Sequence, residues 1–134
     1  MNKTQEEAWL KLLNAICKWE KRMKRVYIAS PYSLGDQAKN VRRQIDCADK
    51  LMYLGFVPYA PLMSHFHHLV YPHPIEDWYK FDNEWVRACH YLLRLSGKSK
   101  GADDEVALAE ELGIPVFYTI GELFKYDNVA NGGN

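Results

Sequence analysis

The chain has 134 residues, 48% hydrophobic and 13% aromatic, which suits one domain with a real core and excludes both a largely disordered chain and two full domains. Lys and Arg number 17, as do Asp and Glu, so there is no bulk positive field to hold a nucleic-acid polymer or an anionic membrane. Cys17, Cys47 and Cys89 lie far apart with no Cys-x-x-Cys among them; this excludes a disulfide framework and a Cys-rich zinc site, and makes a reduced cytoplasm the expected compartment.

Residues 4–23 are predicted as an amphipathic helix, because Trp9, Leu12, Leu13, Ile16 and Cys17 recur at helical spacing. Its apolar stripe is expected against the domain or a neighbouring subunit; the mixed charge around it speaks against a membrane-surface helix. Glu6, Glu7 and Lys11 stand where a signal peptide needs an apolar run. Val26 to Ala29 reads as a short strand, ended by the loop 30–35. A helix follows from near Asp36, a good N-cap, with Val41, Ile45, Ala48, Leu51 and Met52 as its apolar stripe and Gly55 as its stop.

Phe56 to Ala60 reads as a second strand. The stretch from Leu51 to Ile75 has no Asp, Glu, Lys or Arg, yet Pro58, Pro61, Pro72, Pro74 and the histidines at 65, 67, 68 and 73 interrupt it. Such a stretch cannot keep its backbone bonded in lipid as one helix, so residues 61–75 are expected to be an ordered loop. A helix over about 75–89, a strand at 91–95, a helix at 103–112 stopped by Gly113, a strand at 114–118 and a short helix near 121–124 complete the pattern. The expected organisation is an N-terminal helix (1–24), an α/β domain (25–125) and a loose tail (126–134). No internal repeat is present. Strands alternating with helices imply a small doubly wound (Rossmann/flavodoxin-like) parallel sheet of 4–5 strands with helices on both faces. Ligands bind such sheets at the carboxyl ends of their strands, which singles out the loops 30–35, 61–75 and 96–102.

Two acids stand out. Glu105 follows the small loop Ser99-Lys100-Gly101-Ala102 into a helix. Helix N–H groups and the dipole there favour negative charge, and an ionised, positioned carboxylate can act as a nucleophile; acidic residues in a first turn are also ordinary helix stabilisers. Asp82 lies four residues after Trp78 and three before Trp85, on the apolar stripe formed with Phe81 and Cys89. A carboxyl group among indoles should hold its proton to higher pH, as a general acid does; a structural acid bonded to nearby backbone would look the same. Two carboxyl groups in different environments at adjacent strand ends equip a site for displacement at an anomeric carbon. Tyr27, on the first strand, is placed to bond the nucleophile, though strand tyrosines are common. His65, His67, His68, His73 and Asp77 raise the possibility of a metal, and hence of a metal-dependent hydrolase, but match no defined zinc spacing. Lys98, Ser99, Lys100, Arg42 and Arg43 are candidate phosphate contacts.

From about Arg25 to Leu123 the chain resembles the nucleoside 2-deoxyribosyltransferase-like family, which includes the 2'-deoxynucleoside 5'-phosphate N-hydrolases. The resemblance rests on V-Y-I-A-S-P-Y-S (26–33), on D-N-E-W (82–85), and on S-K-G-A-D-D-E (99–105) followed by A-L-A and G-I-P-V. It implies that Glu105 attacks the anomeric carbon, that Asp82 assists the departing base and that Tyr27 orients the glutamate. Ser30, Pro31, Tyr32, His65, Trp78, Ser99 and Gly101 are then expected to contact substrate, Ser99 at a 5'-phosphate. The resemblance also implies a homo-oligomer with shared active sites and no metal or organic cofactor. His90 departs from the pattern, standing where many relatives carry Asp, and Ser30-Pro31-Tyr32-Ser33 replaces a glycine-rich first loop. The expected function is cleavage or exchange of the N-glycosidic bond of a nucleoside or its 5'-monophosphate; a non-catalytic nucleotide-binding module on the same fold is the alternative.

Overall fold

The structure, a computed structural model, describes residues 2–130, and of residues 15–22 only the backbone. Its centre is a four-stranded, all-parallel sheet of β1 (Arg25–Ala29), β2 (Val57–Tyr59), β3 (Tyr91–Arg94) and β4 (Val116–Phe117), in the order β2-β1-β3-β4. Tyr27 is in register with Tyr59 on one side and Leu92 on the other, and Leu93 with Phe117. Parallel neighbours need crossovers, which helices provide. These are α2 (Gln37–Tyr53) between β1 and β2, α3 (Ser64–Val70) and α4 (Ile75–Ala88) between β2 and β3, and α5 (Lys100–Glu111) between β3 and β4. The result is a small doubly wound, Rossmann/flavodoxin-like α/β fold.

Alternation along the strands decides what each face buries. Val26, Ile28, Tyr91, Leu93 and Phe117 pack on one face with Cys47 and Leu51 of α2 and Leu123 of α6 (Ile120–Ala130). Tyr27, Ala29 and Leu92 pack on the other with Val86 of α4 and Ala102 and Ala109 of α5. The strand order turns back between β1 and β3, so the crevice beyond their carboxyl ends is the switch point where such sheets take ligands.

Several elements differ from the sequence reading. The histidine segment is not a loop: a 3-10 turn at Pro61–Met63 leads into α3. The buried face of α2 is Gln44, Cys47 and Leu51, while Ile45 and Met52 are exposed. The phase slips because a buried glutamine reads as solvent-facing. The last helix is longer than expected, reaching Ala130, and the supposed loose tail from 126 is anchored. There Asp127 is buried and accepts a 2.8 Å hydrogen bond from Tyr91 Oη, and Tyr126 packs on Tyr91 and Phe117. Residues 131–134 of that tail lie outside the described residues. The N-terminal helix, α1 (Lys3–Arg22), forms as expected, but Trp9, Leu12 and Leu13 are exposed; the side chains of Ile16 and Cys17 lie outside the described residues. Among the described residues no helix is long and apolar enough to cross a membrane.

Candidate active site

Three strand-end segments and helix α4 meet around a cavity of about 660 Å³, a size usual for small-molecule sites. The first loop contributes Ser30, Tyr32, Ser33 and Leu34. The turn after β2 and helix α3 contribute Pro61, Leu62, Ser64, His65 and His68. Helix α4 contributes Trp78, Tyr79, Asp82 and Asn83, and the start of α5 contributes Lys98 to Ala102, Asp104 and Glu105.

Glu105 and Asp82 therefore line one hollow, approached from different helices. Tyr27 points up from β1 beneath them, and its phenol donates a hydrogen bond to Glu105 Oε2. A tyrosine with no exposed surface must place its hydroxyl on a partner; here that partner is the acid. Burial first, then the nearby carboxylates, push the Tyr27 phenol well above its ordinary range, so it stays a donor. Tyr59, in register beside it, lies 5.6 Å away ring to ring and stacks on Trp85 at 4.7 Å, so the Tyr27 ring is flanked by aromatic side chains.

Asp82 occupies its place because Val86, one turn further along α4, packs into the core and turns that face of the helix inward. Burial pushes its carboxyl up to about 7, and its Oδ1 is buried without a hydrogen-bond partner among the described residues. Glu105 also departs upward, to about 8. Burial is the largest cause, the Tyr27 hydrogen bond opposes it, Asp82 repels the charge, and Arg94 opposes that repulsion. The helix-end expectation for Glu105 fails for a geometric reason: α5 begins at Lys100, so Glu105 is in its second turn, beyond the reach of the terminal dipole and free N–H groups. Two raised carboxyl groups in one low-dielectric hollow titrate as a pair and hold one shared proton near neutrality. Even with the Tyr27 hydroxyl and the Arg94 cation opposing it, deeper burial gives Glu105 the higher value, so the shared proton rests mainly on Glu105 and the form with Glu105 ionised and Asp82 protonated is the minor one.

The sequence reading did not foresee Arg94, which is almost buried at the end of β3. Its guanidinium donates to Leu95 O, to Gly97 O (2.8 Å) and to Asp103 Oδ1 (3.0 Å). Arg43 bonds Ser96 O and Ser96 Oγ at 2.6 and 2.8 Å. Two arginines thus hold the carbonyls of the loop after β3. Arg43 acts as this clamp, and neither it nor Arg42 lines the cavity, a correction to their reading as phosphate contacts. Ser99 caps α5 by accepting from Ala102 N at 3.1 Å.

Of the expected contact residues, Ser30, Tyr32, His65, Trp78, Ser99 and Gly101 line the cavity. Pro31 does not: it is buried, against Gly97, where an added Cβ would come within 2.8 Å of Pro31 Cγ. Tyr32 is hydrogen-bonded to His65 Nδ1, and Asn40 Nδ2 holds the loop by bonding Tyr32 O and Leu34 O at 2.9 and 2.8 Å. The remaining histidines pack around Trp78, whose Nε1 donates to His68 Nδ1 at 2.9 Å. Among the described residues no group of three or more His, Cys, Asp or Glu is placed to hold a metal ion. His67, His68 and His73 pack edge-on around Trp78 as an aromatic cluster. His90 lies outside the cavity and accepts from Arg25 N through Nδ1 at 3.0 Å.

Fold and site together define a small α/β protein with an acid pair in a ligand-sized crevice at the sheet's switch point. Residues 24–119 match the family described as domain of unknown function (DUF7768), and the chain belongs to that family. No curated protein matches the chain.

Proposed function

We propose that the protein cleaves or exchanges the N-glycosidic bond of a nucleoside or nucleoside 5'-monophosphate through a glycosyl ester on Glu105. The observation that carries this reading is the shared hollow: Glu105 and Asp82 line one cavity, with the Tyr27 hydroxyl on Glu105. The reactive form is the minor arrangement of the one-proton state, in which Glu105 is the carboxylate and Asp82 holds the proton. Glu105 attacks C1', the C1'–N electron pair leaves with the base, and Asp82 protonates the departing nitrogen. In the second half, water attacks C1', its proton passes to Asp82, and the ester bond breaks to restore the Glu105 carboxylate. A second base in place of water gives transfer. The Tyr27 hydrogen bond holds the attacking group in one orientation, which is where most of such an advantage arises.

The same reading resembles the nucleoside 2-deoxyribosyltransferase-like family in its residues, including the hydrolase branch. A 5'-monophosphate is favoured by Lys98 and the start of α5, which line the cavity together, while the Lys100 ammonium beside them is paired with Asp104 at 2.9 Å; helix N-termini favour anions. The aromatic wall of Trp78 and its histidines suits the flat face of a base.

The test is a panel of 2'-deoxynucleosides, ribonucleosides and their 5'-monophosphates, incubated with and without a free acceptor base. Release or exchange of base by the wild type, abolished in Glu105→Gln, is expected. Saturable binding across the panel with no turnover contradicts the enzyme and leaves a nucleotide-binding module.

A further inference from the structure

Gln44 is fully buried on the face of α2 that packs against the sheet. Its Nε2 donates to Ile28 O at 3.0 Å and to Ser30 Oγ at 2.8 Å, and its Oε1 accepts from Leu62 N at 2.8 Å. The two backbone partners fix which way the amide points. A carbonyl only accepts and an N–H only donates, so the flipped amide would lose both bonds. Nε2 must therefore face Ser30, and Ser30 Oγ must accept. That leaves the serine's own O–H proton directed elsewhere. Ser30 is 8% exposed and lines the cavity, and among the described residues its hydroxyl has no bond other than the one from Gln44. A nearly buried hydroxyl on a ligand cavity, with one lone pair taken by Gln44 and its proton turned away from that amide, has its donor to offer.

We infer that Ser30 donates a hydrogen bond to an oxygen or nitrogen lone pair of the substrate, and that Gln44 is a positioning residue that fixes the direction of that bond. The inference rests on the glycosidase reading and extends it to a residue on α2 that does not touch the cavity. It also gives the buried amide a role beyond tying α2 to β1 and to the turn at 61–63.

The test measures base-release kinetics, on whichever panel members the wild type cleaves, for Ser30→Ala, Ser30→Thr, Gln44→Glu and the double variant Ser30→Ala/Gln44→Glu, with Glu105→Gln as control. Ser30→Ala is expected to lower kcat/KM about tenfold, the scale of one lost hydrogen bond to a buried acceptor, and Ser30→Thr, which keeps the hydroxyl, to recover most of the loss. Gln44→Glu puts a carboxylate where the amide donor stood, draws the serine proton inward, and is expected to cost a similar factor. The double variant then falls no further than Ser30→Ala, because both changes remove one bond. Wild-type kinetics in Ser30→Ala overturn the inference while leaving the Glu105-dependent reaction standing. Additive losses in the double variant overturn the role of Gln44. Absence of release by the wild type from every panel member overturns the glycosidase reading and this inference with it. If Gln44→Glu does not fold, the comparison of Ser30→Ala with Ser30→Thr decides the donor.

Discussion

Glu105→Gln tests the electrostatics of the site without any substrate. The carboxyl of Glu105 ionises near 4.5 in an unfolded chain, and burial pushes it up to about 8 in the folded one. Between those values the folded chain keeps a proton that the unfolded chain has released. The stability linked to that proton is fully present below about 4.5 and is lost as pH rises through 8. Each pH unit in the window is worth about 1.4 kcal/mol, so going from pH 5 to pH 9 removes about 4 kcal/mol, a large share of a small domain's stability. Glutamine cannot ionise, yet its amide oxygen still accepts the Tyr27 hydrogen bond. The assay is urea unfolding of both proteins at pH 5 and pH 9, which cancels the titrating groups that do not interact with Glu105. The wild type is expected to lose about 4 kcal/mol more than the variant between the two pH values. An equal loss in both proteins would refute the claim that Glu105 is held in a charge-hostile hollow.

Three further outcomes follow from the same geometry. Activity against pH is expected to form a narrow bell centred near pH 7.5, since Glu105 must be ionised and Asp82 protonated, and burial pushes the two to about 8 and about 7; a flat profile from pH 6 to 9 contradicts the pairing. Tyr27→Phe removes the donor on Glu105 and is expected to lower kcat about 10- to 100-fold, the scale of a hydrogen bond to a charged group, and to move the alkaline limb of the bell, set by the higher-titrating Glu105, to higher pH; an unmoved alkaline limb contradicts the role. Gly97→Ala forces a Cβ to within 2.8 Å of Pro31 Cγ at a φ of +119°, and is expected to destabilise the fold by about 1–3 kcal/mol in urea titration and to weaken substrate binding. An unchanged midpoint contradicts the close packing of the two loops.

The alternation of apolar strands and capped helices was enough to read the sheet, because parallel strands buried on both faces are near-continuous apolar runs. Asp82 was legible for a similar reason: its spacing from Trp78 places it on the inward face of α4. What escaped was polar burial. Gln44 and Arg94 look solvent-facing one residue at a time, and only the backbone groups they meet across the fold make their burial tolerable. Misreading Gln44 shifted the predicted stripe of α2. Asp127 hid the last helix in the same way, since its bond to Tyr91 joins residues 36 apart in sequence. The prolines and histidines of 61–75 masked a helix of seven residues, too short to show a period. Glu105 was placed correctly in the chain, but its protonation was misjudged, because local helix-end chemistry reaches one turn and the burial around it comes from other elements.

The central claim is a covalent bond between Glu105 and the sugar. The direct measurement is acid quench during turnover of a substrate found by the panel, followed by intact mass and peptide mapping. A mass increase equal to the glycosyl group, on the peptide that carries Glu105 and absent in Glu105→Gln, is the expected result. Base release at full rate with no adduct, or an adduct on another residue, would contradict the mechanism.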